Sequence, residues 1–156
     1  MTMIADYTDQ EYSLYEIINW AMIGLIDTVN PDRSDTFAGF LDDLYVDDRG
    51  SYLSGEPGWT LERITYTENF AGQYPFLESD MIERLHAIFL GGEREAFWMD
   101  NSCSEQRLSV LSGSTFWKVA FDSLTEFAEN HPERAEELKL TVTKYPQLSR
   151  EAPKAP

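Results

Sequence analysis

Leu14, Ile18, Ala21, Met22, Leu25 and Val29 recur at three- and four-residue intervals, which predicts one amphipathic helix with that stripe packed inward. Its start is set by Thr8 and Glu11, a Thr-x-x-Glu capping box, and its end by Asn30-Pro31. The opposite face also follows helical spacing: Glu16, Trp20, Ile23 and Asp27 put a Trp and an Ile between two carboxylates where water is expected. Either another element covers these side chains or they form a partner-binding patch.

A second helix is expected from about Ser34 to Val46, with Phe37, Phe40, Leu41, Leu44 and Tyr45 on its apolar side. At 100° per residue Asp35, Asp42 and Asp43 point the other way, and Asp47 and Asp48 carry the negative run into the following turn. Gly50, Gly55, Pro57 and Gly58 mark a loop long enough to be a contact surface, with Tyr52 inside it. Trp59 to Phe70 stays open between helix, which Thr60 could cap and which is slightly preferred, and strand, which its Thr, Tyr and Ile residues favour.

Ser79 to Leu90 reads as a helix closed by Gly91-Gly92, with Met81, Ile82, Leu85, Ile88 and Phe89 inward. Glu93 to Met99 is expected to add a short helix, and Ser102-x-x-Glu105 is a further capping-box pattern ahead of Leu108, Val110 and Leu111. Thr115 to Asn130 has the broad apolar face of a main core helix, and Pro132 suits the first turn of a last one, whose Leu138, Leu140 and Val142 also alternate as a strand does. The expected fold is therefore mainly α: a compact single-domain bundle of about five to six helices over residues 1–148, with a small β component allowed at 59–67 and 138–144. Residues 149–156, with three charges, two Pro and no large apolar side chain, read as a disordered tail.

Composition supports a folded domain, since 42% of the 156 residues are hydrophobic and 13% aromatic. No stretch reads as a secretory signal or a bilayer span, and Cys103 is the single cysteine, so the sequence reads as a soluble cytoplasmic protein without an intrachain disulfide.

Charge changes the picture more. Asp and Glu number 28 against 12 Lys and Arg, a formal net charge of −16. Residues 1–60 hold 12 carboxylates and only Arg33 and Arg49, so 2 − 12 = −10 falls in that segment. Such a surface repels nucleic acid and anionic membrane and speeds encounter with a basic protein.

Catalytic and metal chemistry find little purchase. His86 lies at the edge of an apolar stripe and His131 precedes Pro132; there is no His-Glu-x-x-His, no Cys-x-x-Cys, no Gly-rich phosphate loop and no Gly-x-Ser-x-Gly elbow. A calcium loop fails on register: with Gly50 sixth, Tyr45 falls first. No enzyme, cofactor or metal is expected.

What remains is charge with apolar anchors. Carboxylates one helical turn apart, such as Asp43 and Asp47, are about 6 Å apart along the axis, similar to phosphates along a strand. The expected function is thus an acidic inhibitor that imitates a nucleic-acid backbone in the basic groove of a partner, as phage and plasmid anti-restriction and anti-CRISPR proteins do. Asp35, Asp42, Asp43, Asp47 and Asp48, with Glu16 and Asp27, supply charge; Trp20, Ile23, Tyr45 and Tyr52 supply anchors. Asp6-Tyr7-Thr8-Asp9-Gln10-Glu11-Tyr12 resembles the first-helix opening of colicin-nuclease immunity proteins over those seven residues, without that family's paired-tyrosine motif and in a much longer chain. That resemblance implies a second reading, an antitoxin that neutralises a basic nuclease. A third is an acidic assembly protein with no nucleic-acid-related partner, and the first-helix patch also suits a homodimer.

Overall fold

Thr8 and Glu11 start the first helix as their spacing requires: Thr8 N–H donates to Glu11 Oε1 at 2.8 Å and Glu11 N–H to Thr8 Oγ1 at 3.1 Å. The computed structural model describes residues 7–21, 24–30, 33, 35–46, 52–55, 58–102 and 108–149. Helix α1 is Asp9–Ala21, shorter than the expected run to Val29. The reason is local. Asp27 accepts hydrogen bonds from the backbone N–H groups of Val29 and Asn30 at 2.9 and 3.0 Å, a side-chain turn that replaces helical bonding. Leu25 and Ile26 are buried, but Val29, expected on the inward stripe, is 92% exposed. Phe37 and Ala38 N–H groups donate to the carbonyls of Gly24 and Leu25, joining this segment to helix α2, Phe37–Val46.

The mainly α expectation is overturned by a four-stranded antiparallel sheet, making the fold mixed α/β. Strands β1 (Tyr52–Gly55), β2 (Trp59–Thr65), β3 (Glu95–Asn101) and β4 (Leu108–Ser112) lie in chain order, with Leu61 opposite Met99 and Phe97 opposite Leu111. For Trp59 to Phe70 the slightly preferred helix is not formed: strand β2 takes Trp59–Thr65, most of the 59–67 segment where strand was allowed. Glu93 to Met99, expected as helix, instead runs into β3, one of the two central strands, from Glu95 onward. The capping-box pattern at Ser102 leads into strand β4 rather than a helix, although Glu105 lies outside the described residues. The other allowed strand, 138–144, is the end of a helix. At the first hairpin a Cβ on Gly55 would meet the Trp59 ring at 2.5 Å, so only glycine lets the indole fold over β1 there.

Each face of the sheet is covered by helices. Trp59, Leu61, Phe97, Met99 and Leu111 point into a core shared with α1, α2 and helix α5 (Gly113–Asn130). Ile64, Ala96 and Val110 point the other way, onto helices α3 (Phe70–Gln73) and α4 (Ser79–Leu90). Helix α6 (Ala135–Lys144) and a following 3-10 turn, Pro146–Leu148, pack back on α5, and Leu148 is fully buried.

A candidate partner-binding surface

Helix α1 is fastened to α5 by polar side chains along their seam. Lys118 Nζ lies 2.8 Å from Glu11 Oε2, Tyr7 donates to Asp122 at 2.8 Å, and Tyr15 donates to Glu126 at 2.6 Å. Burial works to raise the Glu11 carboxyl, but the hydrogen bonds from Lys118 and from the Thr8 N–H outweigh it and hold the group below the usual glutamate range. Burial and the neighbouring Asp122 push the Tyr7 hydroxyl well above the tyrosine range, so it stays a donor.

With one side so engaged, the other side of α1 is left to solvent. Trp20 is 64% exposed and Tyr12 46% exposed. Between them, one turn from each, stands the half-buried Glu16, and Asp9 is exposed at the helix start. Of the expected stripe, Glu16 and Trp20 share this face, Ile23 lies outside the described residues, and Asp27 sits beyond the helix in its turn. Tyr12 was not among the expected anchors. The signal for it was present, four residues before Glu16, but a tyrosine beside a capping box reads as ordinary helix sequence.

The α2 carboxylates are placed differently from one another. Asp42 accepts from Tyr145 Oη at 2.5 Å and from Lys144 Nζ at 2.7 Å, so it is turned to α6 and holds that helix in place. Asp35 is ion-paired with Arg33, which also reaches Asp27 at 3.4 Å. Asp47 and Asp48 lie outside the described residues; Tyr52 opens β1. Tyr45 is turned inward, donating to Glu95 Oε1 at 2.8 Å beneath the Arg63 guanidinium, whose Cζ is 4.1 Å from the ring centre.

Asp43 is pressed by partial burial and by the adjacent Asp42, and both push its carboxyl above the usual aspartate range. A carboxyl whose folded-state pKa is raised penalises the fold once ionised, and the penalty vanishes where it is protonated in both states. Asp43→Asn is therefore expected to raise the urea midpoint at pH 7, with the gain fading below about pH 4. Equal midpoints at pH 7 would show that ionised Asp43 carries no penalty.

The described surface includes an apolar and a polar cleft. The apolar one of about 410 Å³ lies between α5 and α6, lined by Phe121, Leu124, Leu138, Val142 and Leu148; the polar one of about 260 Å³ holds Arg33 and Arg134 with Asp27 and Glu137. The Arg134 guanidinium rests on Gly24, 2.8 Å from where a Cβ would be, and Glu137 pairs with it at 3.4 Å. Among the described residues no group of three or more His, Cys, Asp or Glu side chains is placed to hold a metal ion, and no helix is long and apolar enough to cross a membrane. His86 is exposed with its ring against Phe70, and His131 ends α5 beside Glu133.

Fold and surface together define an acidic protein of three layers, helices on both faces of an antiparallel sheet, with an exposed aromatic and carboxylate stripe on its first helix. No protein-family model, no curated protein and no solved structure matches the chain.

Proposed function

We propose that the protein is a non-enzymatic acidic inhibitor that covers the basic nucleic-acid-binding surface of a partner. The observation that carries this reading is how the few cations are spent. Of the eight described Lys and Arg residues, Arg33, Arg63, Lys118, Arg134 and Lys144 are ion-paired within the fold. Exposed carboxylates on four different helices, among them Asp9, Asp80, Glu83, Glu129 and Glu136, face water, with the exposed Arg84, Arg94 and Lys139 as the remaining described cations. A rigid acidic surface of this kind attracts convergent Arg and Lys, which a nucleic-acid groove must contain.

The exposure of Trp20 favours a second reading within the same class, an antitoxin or immunity protein whose affinity rests on one anchor. The two differ in how they fail: a mimic loses affinity gradually and with salt, a neutraliser collapses on a single substitution. Immobilised protein at near-physiological salt is expected to retain a nucleic-acid-binding protein from host lysate and to release it when duplex DNA or RNA is added in excess. Retention that nucleic acid does not compete would remove both readings and leave an acidic assembly protein.

A further inference from the structure

We propose that the Tyr12, Glu16 and Trp20 face of α1 is a receptor for arginine side chains of the partner, an inference that rests on the basic-partner reading above. Residues four apart on a helix are surface neighbours about 6 Å apart along the axis. Glu16 therefore stands between two exposed rings, and no described residue gives it a hydrogen bond or an ion pair. Tyr12 is steadied from behind by Tyr15, their ring centres 5.9 Å apart.

The interior of the same protein shows what such a set of groups binds. Arg63 lies over the Tyr45 ring at 4.1 Å with a guanidinium nitrogen 3.7 Å from Glu95, an aromatic face and a carboxylate sharing one planar cation. The α1 face offers rings and a carboxylate of the same kinds, and among the described residues no Lys or Arg is ion-paired with Glu16. A guanidinium suits these groups better than an ammonium, because it is planar, weakly hydrated and able to stack and fork at once. Charge selects among the other occupants. A second copy would bring another −16, and nucleic acid or an anionic membrane has the same sign as the surface.

The test titrates the full chain with a short oligoarginine peptide and with an oligolysine peptide of equal length, in wild type and in Trp20→Ala, Tyr12→Ala and Glu16→Gln. Circular dichroism confirms that each variant is folded. The expected result is an arginine preference of roughly tenfold in wild type, reduced in all three variants, while the weaker, salt-sensitive lysine binding changes little. Equal affinity for both peptides would overturn the arginine receptor yet leave the acidic inhibitor standing. Binding of neither would overturn both. A concentration-dependent dimer that Trp20→Ala abolishes would overturn the proposal by giving the face to a second copy.

Discussion

Phe97→Ala is expected to lower the unfolding free energy by about 3–5 kcal/mol, read as a fall in the urea midpoint at unchanged slope. Phe97 sits on central strand β3, fully buried, and its ring lies on that of Phe116 in α5, centres 3.9 Å apart and planes 14° apart. Leu111 is its cross-strand neighbour and Met99 the next residue on the same face. Truncation removes the ring from both sheet and helix layer at once, and neither can move in: the sheet is held by its ladder, and α5 is tied to α1 by the Lys118 and Tyr15 contacts. Against a total stability of typically about 5–15 kcal/mol this loss is large. Phe76→Ala is the contrast. Phe76 is 42% exposed and meets Trp98 edge-on at 4.8 Å, so its removal leaves an open gap that water fills, costing roughly 1 kcal/mol or less. Similar losses in the two variants would mean that β3 does not lie between two packed layers.

That same burial on both faces explains why the sheet was hard to read in the sequence. A strand with one wet face announces itself by alternation, but Ala96 and Trp98 face one helical layer while Phe97 and Met99 face the other, so the run is apolar at every position and lacks period two. Helix α4 was legible from its one wet side and from Gly91-Gly92 after it, and α5 from its broad apolar face, although its start at Gly113, where Ser112 accepts from Thr115 N–H, lies two residues before the expected Thr115. The end of α1 was not, because the periodicity of Leu25 and Val29 outlasts the helix; the Asp27 turn decides there, and only geometry shows it. In the candidate site, the Trp20 and Glu16 pairing was visible as spacing. What no spacing could show is which carboxylates the fold keeps for itself: Asp42 is held by Tyr145 and Lys144, from a helix a hundred residues away in the chain.

Glu95→Ala is expected to be nearly as costly as the core truncation, for a polar reason. Glu95 opens β3 on the α2 and α5 side and accepts with separate oxygens from half-buried Tyr45, Oη on Oε1 at 2.8 Å, and from buried Trp117, Nε1 on Oε2 at 2.9 Å. Arg63, which also donates to the Leu44 carbonyl at 3.1 Å, has its charge partner in the same group. Around this carboxylate the rings of Tyr45, Trp117 and Tyr145 stack at about 6.0–6.3 Å between centres, joining α2, α5 and the end of α6. Burial, and then the charge of Glu95, push the Tyr45 hydroxyl above its ordinary range, so it remains a donor at all physiological pH. Alanine leaves both donors without this acceptor, each unsatisfied group costing about 1–3 kcal/mol, and takes the charge partner from Arg63, which keeps its hydrogen bonds to the Leu44 carbonyl and Thr65 Oγ1. Glutamine separates charge from hydrogen bonding: its one oxygen can take the Trp117 N–H while its NH₂ donates to Tyr45 Oη, which accepts as well as donates, and the charge facing Arg63 is lost. Glu95→Gln should therefore lose roughly half as much as Glu95→Ala, or less, and leave the near-ultraviolet signal of Trp117 close to that of the wild type. If glutamine costs as much as alanine, the charge facing Arg63, and not the two hydrogen bonds, carries the contribution of Glu95.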